Sequence, residues 1–265
     1  MAVNLFGRDL EAETAVVAEI GANHEGDEDK AHELIHRAAE CGVDAVKFQT
    51  FTARRFALPY DAFLRLGETA DSCNVQFFST PITVEDARAI DALVDVWKVA
   101  SAELTHFDLL SFMADTQKPV ILSTGGSSED EIGHALDALL GTEVVLLHCV
   151  PRYPTKPEDA NLAQMEWLFE KFGRQVGYSD HTMGLDACKL AVGMGAVLLE
   201  KHFTDDKARE FRDHHLSADP AEMKELVRFV RAVPVLQGEF ERTPLQDIRD
   251  IRSKRPWSQS ASSAA

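Results

Sequence analysis

Two apolar runs near the C-terminal third end on side chains that can do chemistry. QVGYSDHTMG, Gln175 to Gly184, runs into Ser179, Asp180 and His181, and AVLLEKHF, Ala196 to Phe203, runs into Glu200, Lys201 and His202. Polar groups at the end of a buried strand must find partners or do work. His181 and His202 close successive runs, so their imidazoles can converge. Two histidine nitrogens completed by oxygen ligands suit a divalent metal with open positions, such as manganese, better than a closed structural zinc. Asp180 is placed either to orient His181 or to anchor the loop that follows.

Lys47 in AVKFQT and Lys98 in VWKVAS each lie inside an apolar run, two or three residues before its end. A lysine at such a point usually reaches out to solvent along its aliphatic stem. Held inside, its ammonium is costly without an anion. With the hydroxyls of Thr80, Ser101, Ser123 and Ser179, the pair makes a point-charge cradle for phosphate or carboxylate. A phosphorylated, acidic small substrate is the expectation.

The elements that must position these residues follow a regular beat. Near-continuous apolar runs occur at 15–21, 45–50, 75–80, 96–101, 119–125, 144–150, 175–180 and 196–203. Such runs are the mark of parallel strands buried on both faces. Helical patterns separate them. In DEDKAHELIHRAAECG, Ala31, Leu34, Ile35, Ala38 and Ala39 share a face, acidic residues fill the first turn and Gly42 closes the end. Thr83 and Ser127 or Ser128 are candidate N-caps for two later helices.

Eight successive βα units predict an α/β fold of the (β/α)8 TIM-barrel class over residues 1–238. A C-terminal extension, 239–265, is expected to be poorly ordered at its end. Active sites in such barrels form at the C-terminal ends of the strands. Those ends carry Glu19, Asn23, His24, Lys47, Gln49, Thr80, Lys98, Ser101, Glu103, Ser123, His148, Tyr153, Ser179, His181, Glu200 and His202, a polar ring on apolar strands.

Composition narrows the partners. The 265 residues are 45% hydrophobic and 27% charged, enough to bury a substantial core. A formal net charge of −17 argues against nucleic acid or an anionic membrane surface, both of which demand a basic face. No apolar run approaches the roughly 20 residues that a membrane span needs. Cys41, Cys73, Cys149 and Cys188 show no CxxC spacing, and the opening MAVNLFGRDLEAET has no basic and apolar leader, so a cytoplasmic location is expected.

Nine motifs, in order, resemble those of the sialic acid synthase family, which includes N-acetylneuraminate, legionaminic and pseudaminic acid synthases. They are AEIGANHEGD, VDAVKFQTF, FFSTPIT, WKVASAE, KPVILSTGGSS, LLHCVPRYPT, EDANL, GYSDHTMG and LEKHFT, between about Val16 and Gly238. The resemblance implies a metal-dependent condensation of phosphoenolpyruvate with an aldehyde-bearing sugar, giving a 2-keto-3-deoxy sugar acid and phosphate. It implies that His181 and His202 hold a divalent metal, usually manganese. Lys47, Thr80, Lys98, Ser101, Ser123 and Ser179 would contact phosphoenolpyruvate, and Gln49, Glu103, Tyr153 and Asp213 would face the acceptor sugar. Glu19 matches a family carboxylate near the reacting centre, and both Glu19 and Glu103 are candidate catalytic groups.

Departures from the family pattern bear on the acceptor. Family members usually continue into a small antifreeze-like domain that covers the partner subunit's barrel and lends it an arginine. The present sequence ends before such a domain, so a homo-oligomer or a separate lid-domain partner is expected to complete the site. Pro151 stands where the family has Ser or Asn, Ala102 where it has Gly, and Phe211-Arg212 where it has Gly-Pro, leaving Arg152 and Arg212 as candidate replacement charges. The alternatives are a non-catalytic barrel that binds a sugar or phosphorylated metabolite, and an aldolase-type TIM-barrel enzyme.

Overall fold

The structure, a computed structural model, describes residues 3–51 and 57–238. The chain opens with a hairpin of β1 (Asn4–Leu5) and β2 (Arg8–Asp9), which the apolar runs did not predict. Two-residue strands are too short to show a period. The turn is made by Phe6 and Gly7, both at positive φ (54° and 72°), the backbone that two-residue hairpin loops require. That conformation is costly for a bulky side chain. Phe6 offsets it by packing on Phe78, ring centroids 5.0 Å apart.

The barrel strands follow: β3 (Ala15–Gly21), β4 (Ala45–Thr50), β5 (Gln76–Pro81), β6 (Trp97–Val99), β7 (Val120–Ser123), β8 (Val144–Cys149), β9 (Val176–Asp180) and β10 (Leu198–His202). Between and after them run α1 (Glu28–Glu40), α2 (Tyr60–Ser72), α3 (Val84–Ile90), α4 (Phe107–Asp115), α5 (Glu129–Ala138), α6 (Gln164–Phe172), α7 (Asp186–Gly193) and α8 (Pro220–Gln237). The strands pair in parallel in the order β5-β4-β3-β10-β9-β8-β7-β6, a nearly closed ring of the TIM-barrel class. Each expected run became a strand because it is apolar on both faces, one turned to the barrel interior and the other to the helices.

Helix starts match the local chemistry. Thr83 and Ser128 each form a capping box, with Asp86 and Glu131 respectively, and Asp27 accepts from the Lys30 amide at the start of α1. Asp44, just before β4, gathers Arg8 of the hairpin (2.8 Å), Arg231 of α8 (2.7 Å) and the Val16 amide of β3 (2.7 Å). One carboxylate thus ties three elements at the N-terminal end of the barrel. A compact unit spans Met1–Pro234, and the expected extension 239–265 lies outside the described residues. Among the described residues no helix is long and apolar enough to cross a membrane.

Candidate active site

Side chains alternate between the two faces of a strand, and this parity decides which polar residues enter the barrel. In β10, Glu200 and His202 share the inner face, and Lys201 points the other way. In β9 and just beyond it, Ser179 and His181 are inner, and Tyr178 and Asp180 are outer. The outer residues meet each other: Lys201 Nζ lies 2.7 Å from Asp180 Oδ2, and Asp180 Oδ1 accepts from Tyr178 OH (3.0 Å) and the Thr182 amide (2.8 Å). Asp180 therefore anchors the loop after β9. It does not orient His181, whose Nδ1 meets the Val150 carbonyl at 2.8 Å instead.

The inner residues line one cavity of about 120 Å³ at the C-terminal ends of the strands. It brings together Glu19, Lys47, Gln49, Thr80, Lys98, Ser101, Ser123, Tyr153, Ser179, His181 and His202 of the expected set, joined by Glu200 and Cys149. Two glycines make this possible. Gly21, at φ 56°, sits at a register shift between β3 and β4, and a Cβ there would meet Glu19 Oε1 at 3.0 Å and Gln49 Nε2 at 3.4 Å. Gly177 lets β9 approach its neighbours, since a Cβ would lie 2.4 Å from the Leu198 carbonyl.

Charge in the cavity is arranged around the two lysines. Lys47 Nζ stands 2.8 Å from Glu19 Oε2 and 3.7 Å from Glu200 Oε2, and donates to Thr80 Oγ1 at 3.0 Å. Burial works against this ammonium, yet the two carboxylates outweigh it and its pKa lies above the ordinary lysine value. Among the described residues Lys98 hydrogen-bonds only to neutral groups, donating to Ser123 Oγ (2.7 Å) and the Val99 carbonyl (2.9 Å), and Glu200 acts on it through space. Here burial prevails and its pKa is lowered. An anion in the cavity would give Lys98 the counter-charge that its own bonds do not supply.

The two carboxylates are driven apart. Burial, opposed by Lys47 and reinforced by Glu200, pushes Glu19 up to about 7. Burial also resists ionisation of Glu200, but Lys47, Lys98 and the Ser179 hydroxyl (3.0 Å) outweigh it and hold that carboxyl below its ordinary value. Glu200 Oε2 has no hydrogen-bond partner among the described residues. A pair so split offers one ionised carboxylate and one group able to gain or lose a proton near neutrality.

His181 and His202 face each other with ring centroids 5.5 Å apart, and Tyr153 lies against both, at 4.1 and 5.8 Å. Burial holds both imidazoles below the ordinary histidine value, His202 further than His181 because His181 and Lys47 add to it. Both are therefore neutral at pH 7, the form that binds metal. His202 Nδ1 is buried without a hydrogen-bond partner among the described residues, and the Val150 carbonyl fixes one nitrogen of His181, leaving the other for a ligand. Among the described residues no group of three or more His, Cys, Asp or Glu side chains could hold a metal. The donor set thus fits a metal held by two imidazoles, with oxygen from water or substrate at its other positions.

Two expected residues are not among those lining the cavity. Glu103 sits in the short 3-10 turn Ser101–Glu103 after β6, and Asp213 directly precedes another, His214–Leu216. Both belong to loops, where strand parity gives no guidance. Arg152 does not supply a charge to the cavity either: it is exposed and paired with Asp159. Glu200 was counted in the polar ring without a role, although its spacing of two from His202 already placed it on the inner face. Larger hollows of about 650 and 570 Å³ lie at the opposite, N-terminal end of the strands, but neither lining includes a lysine or a histidine.

Comparison with known proteins finds relatives that cover most of the chain. The family profile described as NeuB matches residues 52–242. An uncharacterized protein of Methanocaldococcus jannaschii is 41% identical, covering 90% of this chain and 76% of its own length. The N,N'-diacetyllegionaminic acid synthase of Legionella pneumophila is 36% identical, with 90% and 77% covered. Among solved structures, the N-acetylneuraminic acid synthetase of Leptospira borgpetersenii, in complex with citrate, superposes with a TM-score of 0.87 at 30% identity, covering 96% of this chain and 97% of that one.

Proposed function

The chain belongs to the NeuB family, and from that premise we propose that it joins phosphoenolpyruvate to an aldose or N-acyl sugar, releasing phosphate and a 2-keto-3-deoxy sugar acid. The observation that carries this reading is the pairing of Lys47 and Lys98 with two neutral histidines and two carboxylates of opposite tendency in one cavity. Anion-binding, proton-handling and electrophile-activating groups meet there within reach of a single small substrate.

Lys98 and Ser123 hold the phosphoryl or carboxylate oxygens of phosphoenolpyruvate, and Lys47 and Thr80 close the other side of the cradle. Gln49 and Tyr153, with Asp213 and Glu103 beyond the cavity, receive the acceptor. A divalent metal held by His181 and His202, manganese in this proposal, would polarise the aldehyde oxygen as a Lewis acid. C3 of phosphoenolpyruvate attacks the aldehyde carbon, and positive character develops at C2. The ionised Glu200 stabilises that charge. Water adds at C2 and gives one proton to Glu19, which returns it to the alkoxide formed from the aldehyde oxygen, and the remaining proton of the C2 hydroxyl leaves with phosphate as the C–O bond breaks and the keto C=O forms.

The half-exposed Tyr153 leaves the acceptor end of the cavity to be covered by a second subunit or a separate lid domain. Cys41, Cys73, Cys149 and Cys188, all free, accord with a cytoplasmic setting. The test is a panel of aldoses and N-acyl sugars incubated with phosphoenolpyruvate and manganese, followed by mass detection of the keto acid. Aldehyde-dependent phosphate release with a matching product mass is expected. A panel that yields no product above background would sink the reading.

A further inference from the structure

Pro151 opens the loop after β8, and proline has neither an amide hydrogen nor a polar side chain to offer a substrate. Its place in the backbone is nevertheless specific. The Arg152 amide donates to the Val150 carbonyl at 2.8 Å, which closes a three-residue turn with Pro151 at its centre. In its inverse form, the one open to proline, such a turn needs a central φ of about −75°, close to the roughly −65° at which the ring is locked. Proline also restricts the residue before it to extended backbone, which sets the direction of the Val150 carbonyl.

That carbonyl has a second donor, since His181 Nδ1 lies 2.8 Å from it. The Thr155 hydroxyl approaches it at 3.2 Å, but a hydroxyl has one proton and the Arg152 carbonyl is nearer, at 2.8 Å. The Arg152 amide and His181 thus take the two lone pairs of the Val150 carbonyl. A carbonyl only accepts, so Nδ1 of the neutral imidazole carries the proton and Nε2 keeps its lone pair. The same loop holds His181 twice more. The Thr155 amide donates to the His181 carbonyl at 2.8 Å, and the Tyr153 and His181 ring centroids are 4.1 Å apart.

On its other side Pro151 rests on the turn after β7. A Cβ at Gly125 would meet Pro151 Cδ at 3.0 Å as well as Cys149 Sγ at 2.7 Å, and one at Gly126 would meet Pro151 Cγ at 3.7 Å. The missing side chain of Gly125 leaves the space that the proline ring fills. We propose that Pro151 is a positioning residue for metal binding: packed on Gly125 and Gly126, it presets the turn from Val150 to Arg152 so that the Val150 carbonyl holds His181 in one orientation and one tautomer, with Nε2 left to the metal. This rests on the reading of His181 as a metal ligand. Pro151 does not line the cavity and acts only through Val150.

The test uses the full-length protein with Pro151→Ala and Pro151→Gly, which free the backbone in that order. Pro151 is exposed, so both variants should melt within a few degrees of the parent. In the metal-free protein at neutral pH, nitrogen chemical shifts of the histidine rings should show His181 protonated on Nδ1, and Pro151→Gly should move part of the population to the Nε2–H form. Equilibrium dialysis should find manganese bound about threefold more weakly by Pro151→Ala and about fivefold or more by Pro151→Gly, with phosphoenolpyruvate affinity in calorimetric titration within about twofold. An unchanged His181 tautomer in a folded Pro151→Gly protein overturns the proposal, as does manganese affinity equal to the parent's or an equal loss for manganese and phosphoenolpyruvate. If the unaltered protein binds no manganese, the metal reading fails, and the ring signals alone decide: a mixed tautomer in Pro151→Gly supports the positioning role and a pure Nδ1–H form overturns it.

Discussion

Lys47 and Glu19 form an ion pair at 2.8 Å in which both side chains are almost entirely buried. Glu19 nevertheless keeps a pKa raised to about 7, because burial outweighs the attraction of Lys47 and Glu200 adds its repulsion. One ammonium is shared between two carboxylates, and it fully stabilises only one of them.

A pH dependence follows. If Glu19 accepts the proton of the attacking water, kcat/KM should rise with pH through an apparent value near 7, and Glu19→Gln should abolish that limb with a loss of about a hundredfold or more. The stability sign runs the other way. The folded protein holds the Glu19 proton more tightly than the unfolded chain, so this group's contribution is fully present below the ordinary value of 4.5 and is lost as pH rises towards about 7. Glu19→Gln should flatten that decline in thermal melts at pH 4.5 to 7.5. A Gln variant with an unaltered rate profile would remove Glu19 from the chemistry.

The two lysines should separate in stability. Lys98→Met removes a cation bonded to neutral partners. It should weaken phosphoenolpyruvate by about 2–3 kcal/mol, roughly a hundredfold, with a small effect on melting. Lys47→Met strands Glu19 and Glu200 together in a buried site and should also destabilise the fold, by about 3–5 kcal/mol. Calorimetric titration with phosphoenolpyruvate beside thermal melts measures both. Equal stability of the two variants would contradict the charge arrangement.

His181→Ala and His202→Ala should each lower manganese affinity by at least tenfold and turnover with it. Neither residue belongs to the apolar layers of the barrel, so the melting temperature should fall by only a few degrees. Equilibrium dialysis against manganese checks the first part independently of catalysis. Either variant retaining full activity in chelated buffer would refute the metal assignment.

How far the sequence anticipates this site depends on what kind of element carries each residue. Strands announce themselves by apolar runs, and the period of two then fixes which side chains face inward. That logic places Lys47, Lys98 and His202 in the cavity, and it would have assigned Glu200 as well. It also separates Asp180 from His181, adjacent in sequence but on opposite faces. Loops obey no such period, so Glu103 and Asp213 could be matched by motif but not positioned. The Asn4–Asp9 hairpin was illegible because its strands are two residues long. The splitting of Glu19 from Glu200 needs distances that no spacing rule supplies.

Asp180 yields the sharpest prediction, because the sequence left two roles open for it and the structure favours the loop anchor. As a partner of His181, its replacement by Asn would be mild and would act on metal affinity. In the structure its carboxylate instead neutralises Lys201, whose side chain is 1% exposed and whose ammonium also donates to the Thr182 carbonyl at 2.6 Å. Burial resists ionisation of Asp180, but Lys201 outweighs it and the pKa is lowered, so the pair's contribution is present above the ordinary carboxylate value and is lost as pH falls. Asp180→Asn leaves a buried ammonium without its counter-charge and should cost about 3–5 kcal/mol. Asp180→Asn combined with Lys201→Met should recover part of that loss, because the stranded charge is gone. Manganese affinity of the folded fraction should stay within about threefold of the parent. A stable Asp180→Asn protein with impaired metal binding would restore the metal-side role and overturn the structural one.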